Sequence, residues 1–242
     1  MFSSHYLRSF ELQKDKIPRK KEYPYKLPVV RYLENIDLHE KVTFFVGENG
    51  TGKSTLLEAL AVGYGFNPEG GSKNFNFATK ETHSALSEVI RLVKGVKLPK
   101  DNFFLRAESF YNVASNIDEI WVTRDYGGIS LHEQSHGESF FSLFLHRFRW
   151  NGLYILDEPE AAISPQRQLA FLVRLHELVE QNSQFIIATH SPILLSYPHA
   201  KIIEISQNGF KEICYRECEH YTLYKQFLEN PEYMLGKLGI KN

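Results

Sequence analysis

Nine consecutive residues constrain this chain more than any others: Gly47-Glu48-Asn49-Gly50-Thr51-Gly52-Lys53-Ser54-Thr55. They form a Gly-x-x-x-x-Gly-Lys-Ser phosphate loop. The apolar run Val42-Thr43-Phe44-Phe45-Val46 precedes it and predicts a buried strand, and Leu56, Leu57, Leu60 and Ala61 follow at helical spacing. Strand, loop and helix in that order are the context in which this motif binds nucleotide. The glycines let backbone N–H groups converge on a phosphate, and the helix adds the positive end of its dipole. Residues Glu48 through Thr55 are therefore the candidate cradle for ATP. Lys53 is placed to reach the β- and γ-phosphates, and the Ser54 hydroxyl to bind Mg²⁺.

With 242 residues, 43% hydrophobic and 14% aromatic, the chain can bury a sizeable core. Lys and Arg number 28 against 29 Asp and Glu, so no global charge points to nucleic acid or a membrane surface, although a local patch can do so. No apolar run approaches the ~18 residues of a membrane helix. The start, Met1-Phe2-Ser3-Ser4-His5, does not resemble a signal peptide. Cys214 and Cys218 stand alone as C-x-x-x-C, which reads as two reduced thiols rather than a zinc site. These features predict a soluble, cytoplasmic protein.

The remaining chain predicts an α/β architecture in one domain. Tyr6–Leu12 alternates as a first strand, and Leu27–Leu33 reads as a second. Between them Lys14, Lys16, Arg19, Lys20, Lys21 and Lys26 form a basic stretch, open to two readings: a solvated loop, or a nucleotide or nucleic-acid contact. Tyr23 or Tyr25 is a candidate to stack on adenine. Residues 64–102 read as an inserted lid, with an amphipathic helix from Ser84 to Lys94 carrying Leu86, Val89, Ile90 and Val93 on one face. Strand character resumes at Phe103–Arg106. Gln134-Ser135-His136-Gly137-Glu138 opens a helix rich in phenylalanine. Leu153–Leu156 and Phe185–Ala188 are continuous apolar strands, as in a parallel sheet covered on both faces. Pro165 begins a helix to about Glu180, Gln207-Asn208-Gly209 marks a hairpin, and the tail from Glu219 is helical.

Three further motifs narrow the chemistry. Asp157-Glu158 at the end of an apolar strand is a Walker B pattern, with Asp157 holding Mg²⁺ and Glu158 orienting and deprotonating the attacking water. Thr189-His190 after the next strand places a histidine where it can sense the γ-phosphate. Ser135-His136-Gly137-Glu138 at a helix start is either an ordinary cap or an anion site.

In that order the motifs resemble those of ATP-binding-cassette (ABC) ATPases, over roughly residues 6–205. Asp157-Glu158-Pro159-Glu160-Ala161-Ala162-Ile163-Ser164-Pro165 and Ala188-Thr189-His190-Ser191-Pro192 look like the small soluble "AAA-family ATPase" cassettes. Those are related to RecF and structural-maintenance-of-chromosomes (SMC) head domains, and Glu138 in the signature points the same way. The resemblance implies a largely parallel sheet with helices on both faces, a β-rich N-terminal edge and a small helical insertion. It also implies a head-to-tail homodimer that sandwiches ATP, in which Ser135 and Gly137 of one subunit complete the other's phosphate site. The sequence departs from the family at His136, in a glycine slot of the signature, and at Ser164, where many cassettes carry aspartate. It lacks an obvious Q-loop glutamine; Glu108 stands near that position, either as a Mg²⁺ ligand or as a surface carboxylate.

Three classes of function compete: a soluble switch in nucleic-acid maintenance or defence, with DNA or an effector protein as partner; the energising subunit of a transporter; and a small-molecule kinase. A kinase has no use for a signature paired with a switch histidine. A transporter subunit needs a genuine Q-loop.

Overall fold

The computed structural model describes residues 5–18, 23–72, 85–106, 141–142 and 144–240. Strands β1 (Leu7–Leu12), β2 (Asn35–Asp37), β3 (Val42–Val46), β4 (Ile90–Lys94), β5 (Asp101–Arg106), β6 (Gly152–Asp157), β7 (Gln184–Ala188), β8 (Ala200–Ser206) and β9 (Gly209–Ile213) form two sheets. The larger has the order β5-β6-β7-β3-β8-β9, parallel except for the β8–β9 hairpin. The smaller, β2-β1-β4, is antiparallel.

The central strands are buried on both faces, and their side chains divide by the period of two. Phe44, Leu105, Tyr154, Leu156, Phe185 and Ile187 point into one core, closed by Phe171, Leu175 and Leu178 of the helix Pro165–Glu180. Phe45, Phe104, Leu153, Ile155 and Ile186 point into the other, against Leu56, Leu57 and Leu60 of the helix Lys53–Tyr64 and Phe10 of the small sheet. Each fully buried side chain of this kind contributes about 1.5–3 kcal/mol. The result is an α/β sandwich with the predicted β-rich N-terminal edge.

One side chain ties the sheets together. Gln184, fully buried at the start of β7, accepts from the Tyr6 and Leu7 N–H groups, both at 2.9 Å. Its amide nitrogen donates to the Leu7 carbonyl at 2.8 Å and the His39 carbonyl at 2.9 Å. Every hydrogen-bonding valence of the amide is thereby used.

Two predicted elements are corrected. The segment Leu27–Leu33 is not a strand: Pro28–Arg31 is a helical turn. Leu27 is extended, as a residue before proline prefers, while Pro28 supplies the helical φ at N1 and Val29 and Val30 are buried. The predicted helix Ser84–Lys94 is only one turn, Leu86–Val89, followed by β4, which pairs antiparallel with β1. Ile90 and Leu92 face the core while Arg91 faces out, so strand alternation prevails over helical spacing. Within residues 64–102 the described part contributes β4 to the small sheet and the start of β5 to the large one. The hairpin, the helix Pro165–Glu180 and the helical tail, Glu219–Glu229 and Pro231–Lys237, lie where the sequence predicts. Among the described residues no helix is long and apolar enough to cross a membrane.

Candidate nucleotide site

The phosphate loop joins β3 to the helix Lys53–Tyr64. Gly47, Gly50 and Gly52 all have positive φ, at 144°, 82° and 99°. A Cβ on Gly47 would collide with the carbonyl oxygen of Ile205 in β8, and one on Gly52 would lie 2.5 Å from Val29 Cγ1. The loop is thus pressed against strand β8 and against the helical turn Pro28–Arg31. The Val29 N–H donates to the Thr51 carbonyl at 3.1 Å, and Thr51 Oγ1 donates to the Glu48 carbonyl at 2.9 Å.

Lys53 is buried beneath this loop. Its Nζ donates to the carbonyls of Gly47 at 2.7 Å and Glu48 at 3.0 Å. Burial lowers its pKa, and the carboxylates of Glu158, Asp157 and Glu160 oppose that shift. The first N–H groups of the helix behind it have no intrahelical acceptors and face the loop's end of the dipole.

Strands β6 and β7 deliver the acidic and histidine groups. Asp157, buried at the C-terminal end of β6, pairs in register with Ala188 of β7. Ser54 Oγ donates to Asp157 Oδ1 at 3.1 Å. Two side-chain oxygens from segments 103 residues apart therefore converge at one point. Among the described residues no three His, Cys, Asp or Glu side chains form a metal cage. Mg²⁺ in nucleotide sites is held by one or two carboxylates together with phosphate and water oxygens, so the Ser54–Asp157 pair fits it.

Glu158 adopts left-handed backbone angles, φ 50° and ψ 54°, with its N–H donating to the Ala188 carbonyl at 2.9 Å. That conformation costs about 1–2 kcal/mol in an L-residue, and strain of this kind concentrates at functional positions. Its carboxylate is partly open to solvent and lies 3.6 Å from His190 Nε2. Glu160, next but one, is turned inward: its Oε1 accepts the His190 N–H at 2.6 Å, while Oε2 is buried without a hydrogen-bond partner among the described residues. Burial pushes the Glu160 carboxyl above the usual carboxylate range. His190 Nδ1 lies 2.8 Å from His220 Nε2. Burial, with Lys53 and His220 nearby, pulls the His190 pKa down to about 4, so the ring is neutral at pH 7.

The structure thus brings together Glu48 to Thr55, Asp157, Glu158 and His190. Ser135, His136, Gly137, Glu138 and Glu108 lie outside the described residues. Ser164 caps the helix Pro165–Glu180, its side chain accepting from the Arg167 N–H at 3.4 Å. Of the two tyrosines, Tyr23 stands at the loop, its hydroxyl 3.3 Å from Thr55 Oγ1, whereas Tyr25 donates away to the Ala85 carbonyl at 3.4 Å. The sequence motifs assign no role to Glu160 or His220. Glu160 lay in view within Asp-Glu-Pro-Glu; His220 had no signal, being 30 residues beyond His190 on a separate helix.

Fold and site together define a P-loop nucleotide-binding protein. Comparison with known proteins refines the class. A family model described as an AAA domain matches residues 29–127. A second, described as an AAA domain, putative AbiEii toxin, Type IV TA system, matches residues 122–196. The DNA replication and repair protein RecF of Colwellia psychrerythraea is 44% identical over 63 residues, which is 26% of this chain and 15% of RecF, so the match spans a small part of that relative. A nucleotide-free ATP-binding cassette from an ABC transporter aligns over 94% of this chain and 96% of its own, at TM-score 0.50 and 16% identity. The SMC head domain from Thermotoga maritima aligns over 86% of this chain and 98% of its own, at TM-score 0.42 and 17% identity. Two AAA-domain models thus match adjoining parts of the chain, and its fold is that of the P-loop ATP-binding cassettes.

Proposed function

We propose that this protein binds Mg-ATP and hydrolyses it slowly, using the cycle to close and open a homodimer. The observation that carries the reading is the hydrogen bond from Ser54 to Asp157 beside the buried Lys53, with Glu158 and His190 at the rim. The loop N–H groups and Lys53 bind and orient the phosphates. Bound Mg²⁺ would be held by Ser54 and Asp157, and it would supply charge neutralisation at the phosphate oxygens. Glu158 holds the attacking water and accepts its proton, and neutral His190 donates a hydrogen bond at the γ-phosphate position. Tyr23 is proposed as the adenine contact, and Glu108 as an additional Mg²⁺ ligand.

The dimer is proposed from the resemblance, with Ser135 and Gly137 acting across it. Ser135→Arg should then leave ATP binding intact and block turnover; wild-type hydrolysis in that variant would reduce Ser135-His136-Gly137 to a helix cap.

The role is proposed to lie in nucleic-acid maintenance or defence. The RecF match supports this, as does a cavity of about 580 Å³ bordered by Lys14, Lys26 and Arg31, which offers cations to a polyanion. ATP hydrolysis measured with Mg²⁺, with chelator, and with single- and double-stranded DNA tests both levels. Hydrolysis that is lost with chelator and raised by DNA is the expected result. DNA binding should fall steeply with salt through counterion release; no binding even at low salt would remove DNA as a partner.

A further inference from the structure

His190 is neutral and so carries a single ring proton, and its chemistry depends on which nitrogen holds it. Nδ1 is engaged by His220 Nε2 at 2.8 Å, with the two rings edge-to-face at a centroid separation of 4.9 Å. Nε2 is buried, has no hydrogen-bond partner among the described residues, and lies 3.6 Å from the Glu158 carboxylate. Two arrangements satisfy the short Nδ1–Nε2 contact. In one, His190 donates from Nδ1, leaving a bare lone pair on its Nε2 aimed at a carboxylate. In the other, His220 donates to Nδ1, and the His190 proton sits on Nε2 facing that carboxylate. Lone pair against carboxylate is repulsive and N–H against carboxylate attractive, so Glu158 tips the histidine pair toward the second arrangement; at 3.6 Å and open to solvent the carboxylate only biases it, and the 2.8 Å bond from His220 is what keeps the proton off Nδ1.

We infer that His220 is a positioning residue: its Nε2–H donates to His190 Nδ1 and fixes His190 as the Nε2–H tautomer, keeping a proton donor aimed at the γ-phosphate position. The inference rests on the proposed phosphate contact of His190. His220 stands in the first turn of the helix Glu219–Glu229, outside every motif of the nucleotide site. That helix is joined to the strand-end segment through Tyr215, whose hydroxyl donates to the Pro192 carbonyl at 3.0 Å. The placement of the donor is therefore a property of the helix Glu219–Glu229 rather than of the loops that line the phosphate site. The other charged groups bearing on His220 are Glu219, on its own helix, and Lys53, across the site.

Two variants of the full chain test this. His220→Phe keeps a ring of similar size without a donor. His220→Gln restores an N–H donor on a different frame. Long-range ¹H–¹⁵N correlation spectra of the imidazole nitrogens, with ¹⁵N-histidine labelling, read the His190 tautomer directly. The expected result is Nε2–H in wild type and in His220→Gln, and a mixture of tautomers in His220→Phe. With Mg-ATP, kcat should fall roughly 10- to 100-fold in His220→Phe, by analogy with the loss seen when the outer partner of a metal-bound histidine is removed. KM should stay near wild type, and His220→Gln should recover most of the rate. His190 remaining Nε2–H in His220→Phe overturns the inference whatever the rate, and a wild-type kcat in a folded His220→Phe overturns it as well. His190→Ala separates the two levels: a wild-type rate there defeats the phosphate contact itself, while the spectra still decide the tautomer.

Discussion

The two sides of the nucleotide site are built in opposite ways. The phosphate side is contiguous: Gly47 to Thr55 run without interruption, and their hydrogen bonds are largely to one another, as in Lys53 to Gly47 and Glu48 and Thr51 to Glu48. The histidine side is dispersed: Glu158 and Glu160 come from the end of β6, His190 from the end of β7, and His220 from a helix beyond the hairpin. A contiguous site is imposed by local sterics, above all by residues that tolerate positive φ. A dispersed one exists only once the sheet has set its strands in register. The first half should therefore govern whether nucleotide binds, and the second what happens to it afterwards.

Substitutions on each side can break that division. The largest effect is expected for Glu158→Gln, which keeps the size of glutamate but cannot accept the water's proton. Turnover should fall by about 10²–10⁴-fold with Mg-ATP affinity retained or raised, and light scattering should show the ATP-loaded dimer accumulating. An active variant would place the base elsewhere, and an inactive one that stays monomeric with ATP bound would remove the dimer switch. Next is Lys53→Ala, which should lower ATP affinity by roughly 2–5 kcal/mol, the usual loss when a buried charged partner is truncated. Equilibrium titration checks it, and unchanged affinity would undo the assignment of the loop.

A smaller effect is expected for Gly52→Ala. The added methyl meets Val29 at 2.5 Å from a backbone at φ 99°, so the apo protein should lose about 1–3 kcal/mol of stability in denaturant unfolding. Loss of nucleotide affinity should accompany it, because Gly52 is the N-cap of the helix behind the phosphates.

The smallest effect concerns the other side and is read by pH. His190 has a folded pKa depressed from 6.5 to about 4. The unfolded chain binds the proton first as pH falls, so the stability held by neutral His190 is complete above pH ~6.5 and is lost as pH falls toward ~4. Between pH 7 and 5.5 this amounts to about 1 kcal/mol, with allowance for the partial exposure of the ring. Chemical unfolding of wild type and His190→Gln across that range should show the wild-type curve falling more steeply; parallel curves would mean that the ring titrates normally.

The same contrast accounts for what the sequence disclosed. The central strands were legible because burial on both faces leaves runs such as Phe44-Phe45-Val46 and Tyr154-Ile155-Leu156 uniformly apolar. The phosphate loop and Asp157-Glu158 were legible because their spacing is fixed within a few bonds. The small sheet was not. Leu86, Val89, Ile90 and Val93 satisfy a helical spacing, yet the chain crosses from a helical turn into strand β4 at Ile90, and pairing with β1 outweighs local propensity. Val29 and Val30 suggest a strand by composition, while Pro28 starts a single turn too short to display its own period. His220 was illegible for a different reason: its significance depends on a 2.8 Å approach that no one-dimensional spacing encodes.

The buried amide of Gln184 carries a consequence for motion. Because the N–H groups of Tyr6 and Leu7 end on this side chain at the root of β7, their protons can exchange with solvent only when the small sheet parts from the central one. Local fraying near residue 6 is thus replaced by a concerted opening. The two sheets, distinct in topology, should behave in native-state exchange as one cooperative unit. Its slowest protons would then include some of the earliest in the chain.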